Sequence, residues 1–281
     1  MTAATEPGQR IVTLDIIGGV AVMGILAMNI VAFALPMAAY MNPLAYGSES
    51  AVDFAAYAFN FVLIDGKMRG LFSFLFGASM LLVIDRAEAK GESPAAVHYR
   101  RMLVVLLFGA IHFYLIWFGD ILFGYATIGM VAFLFRRKEP KVLILIGIAL
   151  ILLEFLMMFG MAAQVRDLAP QVAQPGASAE VIRVWNEMTA WVRVPTQAEI
   201  GEQMSLILGP WSGLAHNQLT KHAFDPLFFS LMFGPETLAY MLFGMAALKS
   251  GYLTGAWTDE QYRRAAIRGY AISLPFYLLL I

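Results

Sequence analysis

The chain has 281 residues, of which 60% are hydrophobic and only 14% are charged. This composition is too apolar for a soluble protein of this length, and its long uninterrupted apolar runs exclude the alternating strands of a membrane barrel. The net charge of −1 argues against a nucleic-acid partner, and the absence of cysteine excludes disulfides, thiolate metal sites and a cysteine nucleophile. We therefore expect an all-α, polytopic transmembrane helix bundle with about six or seven membrane helices.

The first apolar run follows a short polar lead, residues 1–10, and extends from residue 11 to about residue 35. It is long enough to span a bilayer, so we interpret it as a retained first helix rather than as a cleaved signal peptide. Asp15 lies near its entry end and Asn29 near its exit end.

The second apolar region, residues 54–84, is interrupted by the sequence DGKMRG at residues 65–70. Either the helix bends there, or the part before this sequence lies along the interface and only Leu71 to about Arg86 crosses the membrane. We favour the second interpretation. Lys67 and Arg69 then sit at the outer end of the crossing helix, where snorkelling to the headgroups is the simplest explanation for both.

Residues 100–130 predict two membrane helices joined by a tight turn at residues 118–120. At about 1.5 Å per residue, the first helix places His112 near the middle of the bilayer. An ionisable group there is costly unless it has a partner or a function, so His112 is the strongest single indication of a site. A neutral imidazole packed inside the bundle is an equally good structural explanation.

The predicted membrane helices and the segment between them divide the chain into three regions. Residues 1–163 hold five membrane helices, of which the fifth, residues 142–163, carries Glu154. Residues 164–222 form an external segment, and residues 223–281 hold the last membrane helices. In the helix at residues 227–248, Pro235 precedes Glu236 and predicts a local break that could line a cavity. The final run begins near residue 267 and is too short to span.

The external segment contains signals for two short amphipathic helices. Ser178 is a candidate N-cap before one apolar face, and Thr196 with Glu199 fits a capping box before a second one. These helices could act as a lid on the membrane surface. A cap packed over the bundle, with no role in substrate traffic, is at least as good an interpretation.

Basic residues indicate the orientation. They concentrate in the loops at residues 86–101, 136–141 and 249–268 and are absent from the intervening short loops. By the positive-inside rule, the N-terminus is predicted to be cytoplasmic and Asp120 to face outward.

Counting residues along each helix sorts the polar side chains by depth. Asn29, Arg69 and Asp120 are predicted to lie near the outer boundary of the membrane, whereas His112 and Glu236 are predicted to lie near its middle. Depth therefore favours two partnerships, Arg69 with Asp120 and His112 with Glu236. No metal-ligand spacing, Walker loop or dinucleotide fingerprint is present. The glycines at positions 18, 19, 24, 70 and 77 are interpreted as sites of close helix packing.

Four segments resemble, in the same order, those that mark the YeiB-like family of bacterial inner-membrane proteins. They are RIVTLDIIGGVAVMGILAMNIVAFALP, GKMRGLFSFLFGASMLLVIDRAEAKG, YRRMLVVLLFGAIHFYLIWFGDILFGYATIGM and GPETLAYMLFGMAALKSGYLTG. That family is similar to a wider group of transmembrane acyltransferases, which includes the lysosomal enzyme that acetylates heparan sulfate from cytosolic acetyl-CoA. The resemblance implies membrane-embedded acyl transfer and a bacterial inner-membrane location.

Two features depart from the family pattern. Gly18 stands where the family motif LDxxRG has an arginine, and family members usually continue well beyond residue 281. We therefore expect a C-terminally truncated chain, which is inactive if the missing helices complete the site.

Three functions remain open at this point. The first is an acyltransferase with His112 as general base, oriented by Asp120 or Glu236. The second is a transporter or proton-coupled carrier, in which Asp15, His112 and Glu236 mark a path, and the third is a non-catalytic assembly subunit. The residues alone slightly favour the carrier, and the resemblance favours the enzyme.

The expected ligands follow from the enzyme interpretation. The candidate substrate-binding residues are Asp15, Asn29, Lys67, Arg69 and Tyr125. We expect no metal and no permanently bound cofactor, an acyl donor such as acyl-CoA, a small-molecule or glycan acceptor, and membrane lipids as surroundings.

Overall fold

The structure is a computed structural model that describes the backbone of residues 11–278 and the side chains of residues 11–275. The polar lead at residues 1–10 and the last three residues of the final apolar run lie outside the described residues. The described part of the chain contains helices and no strand, so the fold is all-α.

Thirteen α-helices follow one another in this described part. They are α1 (Val12–Ala34), α2 (Ala38–Met41), α3 (Ala51–Leu63), α4 (Lys67–Ala89), α5 (Pro94–Ile111), α6 (Leu122–Ala132), α7 (Pro140–Val172), α8 (Ala179–Thr189), α9 (Gln197–Ile207), α10 (Trp211–Lys221), α11 (Asp225–Met232), α12 (Gly234–Lys249) and α13 (Asp259–Leu278). A π-helix, His112–Ile116, continues α5, and a 3-10 turn, Phe133–Phe135, ends α6.

Among the described residues, four stretches are long and apolar enough to cross a membrane: α1, α3 with α4, α5 with its π-helix, and α7. A fifth is formed if α11 and α12, which meet at a bend of 59°, are taken as one broken span. The chain is thus a multi-pass membrane helix bundle with four or five candidate spans by these criteria. The expected six or seven spans are not confirmed.

The predicted interruptions occur where the sequence placed them. Gly66 has a φ of +69°, a left-handed conformation in the break between α3 and α4, although the two helices together form one apolar stretch, Ala51–Ala89. Pro235 lies in the first turn of α12, where a missing backbone N–H costs no helical hydrogen bond, and the 59° bend precedes it. The break before Glu236 is therefore confirmed.

The core forms where α12 packs against α4, α6 and α7, around Leu81, Met241, Leu242 and Met245. Glycine makes the α4–α12 contact possible, because a Cβ at Gly244 would overlap the carbonyl oxygen of Phe74 and one at Gly77 would overlap that of Met241.

Of the other glycines predicted to allow close packing, some have close neighbours and some do not. A Cβ at Gly24 would overlap the Met68 side chain, and one at Gly70 would lie 3.1 Å from the Tyr240 ring. At Gly18 the nearest atom would be Leu75 Cδ1 at 4.0 Å, and Gly19 has no neighbour within 4 Å. The packing prediction is therefore wrong for Gly19.

The two ends of the bundle differ in chemistry. At one end Lys249 Nζ donates to the carbonyl oxygen of Lys138 at 2.9 Å, and Arg137 lies 3.7 Å from Glu88. We call this end, with the loops at residues 90–93 and 136–139, the basic end. The opposite end, where α1, the π-helix and α3 finish, is called the loop end.

The segment at residues 164–222 packs over the loop end. Trp211 Nε1 donates to the carbonyl oxygen of Leu115 at 2.6 Å, and Asn42 Nδ2 donates to that of Val192 at 2.7 Å. Both predicted caps are present, at Ser178 and at the Thr196–Glu199 capping box. The sequence did not predict α10, nor the extension of α7 to Val172.

Candidate functional site

His112 lies near the loop end of its helix and not at the middle. The prediction counted from Arg100, but α5 begins at Pro94 behind a Ser93 cap. At about 1.5 Å per residue, His112 is roughly 27 Å from that start and roughly 6 Å from the end of the π-helix at Ile116. The wider π turn that begins at His112 is a distortion found frequently at functional sites.

His112 and Asp120 form a hydrogen-bonded pair. The imidazole Nδ1 lies 3.0 Å from Asp120 Oδ1, and Asp120 Oδ2 accepts the backbone N–H of Phe123 at 2.8 Å. The Asp120 side chain is 1% exposed, whereas that of His112 is 35% exposed. A carboxylate at Nδ1 favours the tautomer that carries its hydrogen there, so Nε2 is left as the accepting nitrogen.

The partnerships favoured by depth are wrong. Arg69 Nη2 lies 2.6 Å from Glu236 Oε2, so Arg69 pairs with Glu236 while His112 pairs with Asp120. The reason is helix position and rotation: His112 is closer to the loop end than predicted, and the bend before α12 brings Glu236 beside the first turn of α4.

A cavity of about 400 Å³, the main cavity, lies at the loop end. Its walls are mostly apolar side chains from in and around α2, α6, α11 and the start of α12, and Trp191, from the segment between α8 and α9, also lines it. The ionisable residues in the lining are Tyr40, Asp65, Arg69, Asp120 and Tyr125. This combination suits a largely apolar ligand held by a few polar contacts.

Tyrosines fix the polar groups of the main cavity. Tyr40 Oη donates to Asp65 Oδ1 at 2.9 Å; burial and the neighbouring carboxylate raise the pKa of Tyr40 above its ordinary value. Tyr125 Oη lies 2.6 Å from Ser73 Oγ and donates to the carbonyl oxygen of Arg69 at 3.3 Å. These contacts hold the first turn of α4, and with it Arg69, against α6.

A second cavity of about 320 Å³, the histidine cavity, contains His112 and Asn29. Its walls include Phe108 of α5 and Ile116 of the π-helix, two residues that are 60% and 61% exposed. Asp120 lines both cavities. The His112–Asp120 pair therefore stands between the two chambers.

Two predicted binding residues lie away from these groups. Lys67 Nζ donates to the carbonyl oxygens of Phe61 at 3.2 Å and Asp65 at 3.4 Å, and Lys67 lines neither cavity. Asp15 lines a separate groove toward the basic end. Within the described part of the chain, no three His, Asp or Glu side chains are arranged to hold a metal ion.

Sequence reasoning missed Tyr40, Asp65, Ser73 and Trp191 as parts of the site. For Asp65 a signal existed, because it precedes Arg69 by four residues at a helix start, although the sequence was interpreted only as a break. The other three are brought in by tertiary packing and carry no local signal.

The chain is similar to three curated relatives. It is 30% identical to the uncharacterized protein YeiB of Escherichia coli (strain K12) over 95% of its own length and 64% of YeiB. It is 42% identical to the uncharacterized protein YxaH of Bacillus subtilis (strain 168) over 53% of its own length and 38% of YxaH. An uncharacterized 39.9 kDa protein of Bacillus acidopullulyticus is 34% identical over 51% of this chain and 39% of its own length.

The matched regions thus span between about two fifths and two thirds of these relatives. No family model and no solved structure matches the chain. The similarities to YeiB and to YxaH support the resemblance to YeiB-like proteins that the sequence motifs indicate.

Proposed function

We propose that the chain is a membrane-embedded acyltransferase in which His112 is the general base and Asp120 its positioning residue. The observation that carries the proposal is the 3.0 Å contact between His112 Nδ1 and the fully buried Asp120 carboxylate. A base that is held by a second group and lines a cavity, as His112 does, is an arrangement that can activate a hydroxyl or amine.

The reaction uses an acyl thioester, such as acyl-CoA, and an acceptor that carries a hydroxyl or amine. Nε2 of His112 takes the acceptor proton while the acceptor oxygen or nitrogen attacks the thioester carbonyl. The C–S bond then breaks, and the imidazolium returns the proton to the leaving thiolate. Asn29, in the same cavity, supplies an amide N–H that can stabilise the developing oxyanion.

The main cavity is the proposed site for the apolar part of a substrate. Its walls are mainly apolar, and Asp120 lines both this cavity and the histidine cavity. The Arg69–Glu236 pair keeps a guanidinium in this wall that can orient an anionic or carbonyl group.

We place the protein in the bacterial inner membrane with its N-terminus and basic end in the cytoplasm. The concentration of arginine and lysine at that end supports this orientation. The two cavities then face the outer leaflet, so the acceptor is reached from outside.

A carrier is the second candidate, favoured by the broken pair α11 and α12. Discontinuous helices beside a charged pair, here Arg69 with Glu236, are typical of transporter binding sites. In that case His112 would contribute to a proton path rather than to a chemical step.

The test compares three purified variants in acyl transfer from acyl-CoA to a panel of hydroxyl and amine acceptors. His112→Gln is expected to lower turnover by roughly 100-fold or more while the melting temperature is retained. Asp120→Asn is expected to lower turnover because an amide favours the wrong imidazole tautomer. His216→Gln, at an exposed histidine of α10, is the matched control and is expected to keep full activity.

Full activity in a stable His112→Gln protein would remove this residue from the mechanism and favour the carrier. Activity that falls only in proportion to folded protein would assign His112 a structural role.

A further inference from the structure

A third cavity lies toward the basic end, between α1, α4 and α5, and has a volume of about 420 Å³. We call it the basic-end groove. On α4 its lining includes Leu75, Ser79, Leu82 and Arg86, which are spaced by three or four residues and so share one helix face. This face is apolar along most of its length and ends in a guanidinium.

Two guanidinium groups, Arg86 and Arg101, lie in the lining, together with the single carboxylate of Asp15. The three formal charges sum to +1. Among the described residues, no carboxylate lies within salt-bridge distance of either arginine, whereas Arg137 and Arg263 have acidic neighbours. The groove therefore has unneutralised positive charge at one end and apolar walls beyond it.

The groove is separate from the proposed acyl-transfer site. Arg101 and His112 are on the same helix and 11 residues apart, which corresponds to about 16 Å along the axis. None of the residues that line the groove lines the main cavity or the histidine cavity.

Gly18 keeps the groove open on the α1 side. A Cβ there would meet only Leu75 Cδ1 at 4.0 Å, an ordinary van der Waals contact. A larger side chain at this position would extend into the space beside Leu75, so Gly18 controls the room available to a ligand.

We propose that the basic-end groove binds an anionic membrane phospholipid. The phosphate lies between Arg86 and Arg101, and one acyl chain lies along Leu14, Leu75 and Phe76. Charge complementarity selects a phosphate, and the apolar walls select a chain attached to it. A basic pocket between membrane helices is an arrangement that binds anionic lipid headgroups.

The test titrates the purified protein with fluorescent phosphatidylglycerol, and with phosphatidylcholine of the same chains. Arg86→Gln/Arg101→Gln is expected to bind phosphatidylglycerol roughly 30-fold more weakly, from the loss of two cationic contacts. The matched control is Arg100→Gln/Arg137→Gln, which removes the same charge from the basic end outside the groove. It is expected to bind as the unaltered protein does.

Gly18→Leu tests the apolar part while all charges are retained, and it keeps the proposal testable if the arginine variant does not fold. It is expected to lose phosphatidylglycerol binding. Normal binding by Gly18→Leu, equal weakening in the two double variants, or equal affinity for phosphatidylcholine would each overturn the proposal. Displacement of phosphatidylglycerol by coenzyme A in water would identify a soluble phosphate ester as the ligand and overturn the lipid assignment.

Discussion

Removing one member of the Arg69–Glu236 pair should destabilise the protein more than removing both. Losing one partner of a buried ion pair costs about 3–5 kcal/mol, because the other charge is left without compensation. The two side chains are 32% and 20% exposed, so solvent screening reduces this cost. We therefore expect about 2 kcal/mol for Arg69→Met or Glu236→Leu alone, and about 1 kcal/mol for the double variant. The coupling energy is then about 3 kcal/mol.

For a chain of this size, the loss of about 2 kcal/mol lowers the melting temperature by roughly 4–8 °C. Thermal unfolding of the purified variants in one detergent measures this shift, and the four proteins form a double-mutant cycle. Arg183 and Glu180, which are 56% and 68% exposed, provide the control pair, for which the coupling should be below about 1 kcal/mol. Additive single effects at Arg69 and Glu236 would refute the reasoning, because they would show that neither charge depends on the other.

Three further outcomes are expected. Gly244→Ala should lower the melting temperature strongly, because the new Cβ overlaps a backbone carbonyl on the facing helix. Gly19→Ala has free space around the new Cβ and should leave the melting temperature unchanged. Equal effects of the two substitutions would contradict the packing argument. A cysteine introduced at Ser178 should react with an impermeant reagent in intact cells, and reaction only after the membrane is opened would reverse the proposed orientation. The Arg193 guanidinium lowers the pKa of Glu199 to about 2, so the capping contact should be fully present above about pH 4.3 and lost as the pH falls toward 2. Limited proteolysis of the turn between α8 and α9 at a series of pH values measures this loss. Glu199→Gln should abolish the pH dependence of cleavage.

The parts of the fold that the sequence predicted correctly depend on local chemistry. Ser178 and the Thr196–Glu199 box cap helices because a side-chain oxygen and a backbone N–H are only a few residues apart. Pro235 marks the bend before α12 because proline cannot donate a helical hydrogen bond. Such signals need no knowledge of what packs against them.

The ionic partnerships could not be predicted in this way, because depth along a helix says nothing about its rotation. His112 and Glu236 were matched by depth alone, yet each side chain points to a different neighbour. The error in depth came from the start of α5, because the Arg100–Arg101 pair was taken as the edge of the membrane helix and residues 94–99 as loop. A small change in one boundary was sufficient to exchange both partners.

A sequence signal for the Arg69–Glu236 partnership does exist, in two segments that share the pattern Leu-x-x-x-Leu-Phe-Gly. They are residues 71–77 in α4 and residues 238–244 in α12, and a charged residue precedes the glycine by eight positions in each case. Both helices run from the loop end to the basic end. Gly77 lies against the backbone of Met241, three residues before Gly244, and Gly244 lies against the backbone of Phe74, three residues before Gly77. That reciprocal contact sets Gly77 and Gly244 at about the same height, so the residues eight positions earlier are also level. Arg69 therefore meets Glu236 because the glycines fix the register of the two helices, and a slip of one residue, about 1.5 Å, would pull the ion pair apart.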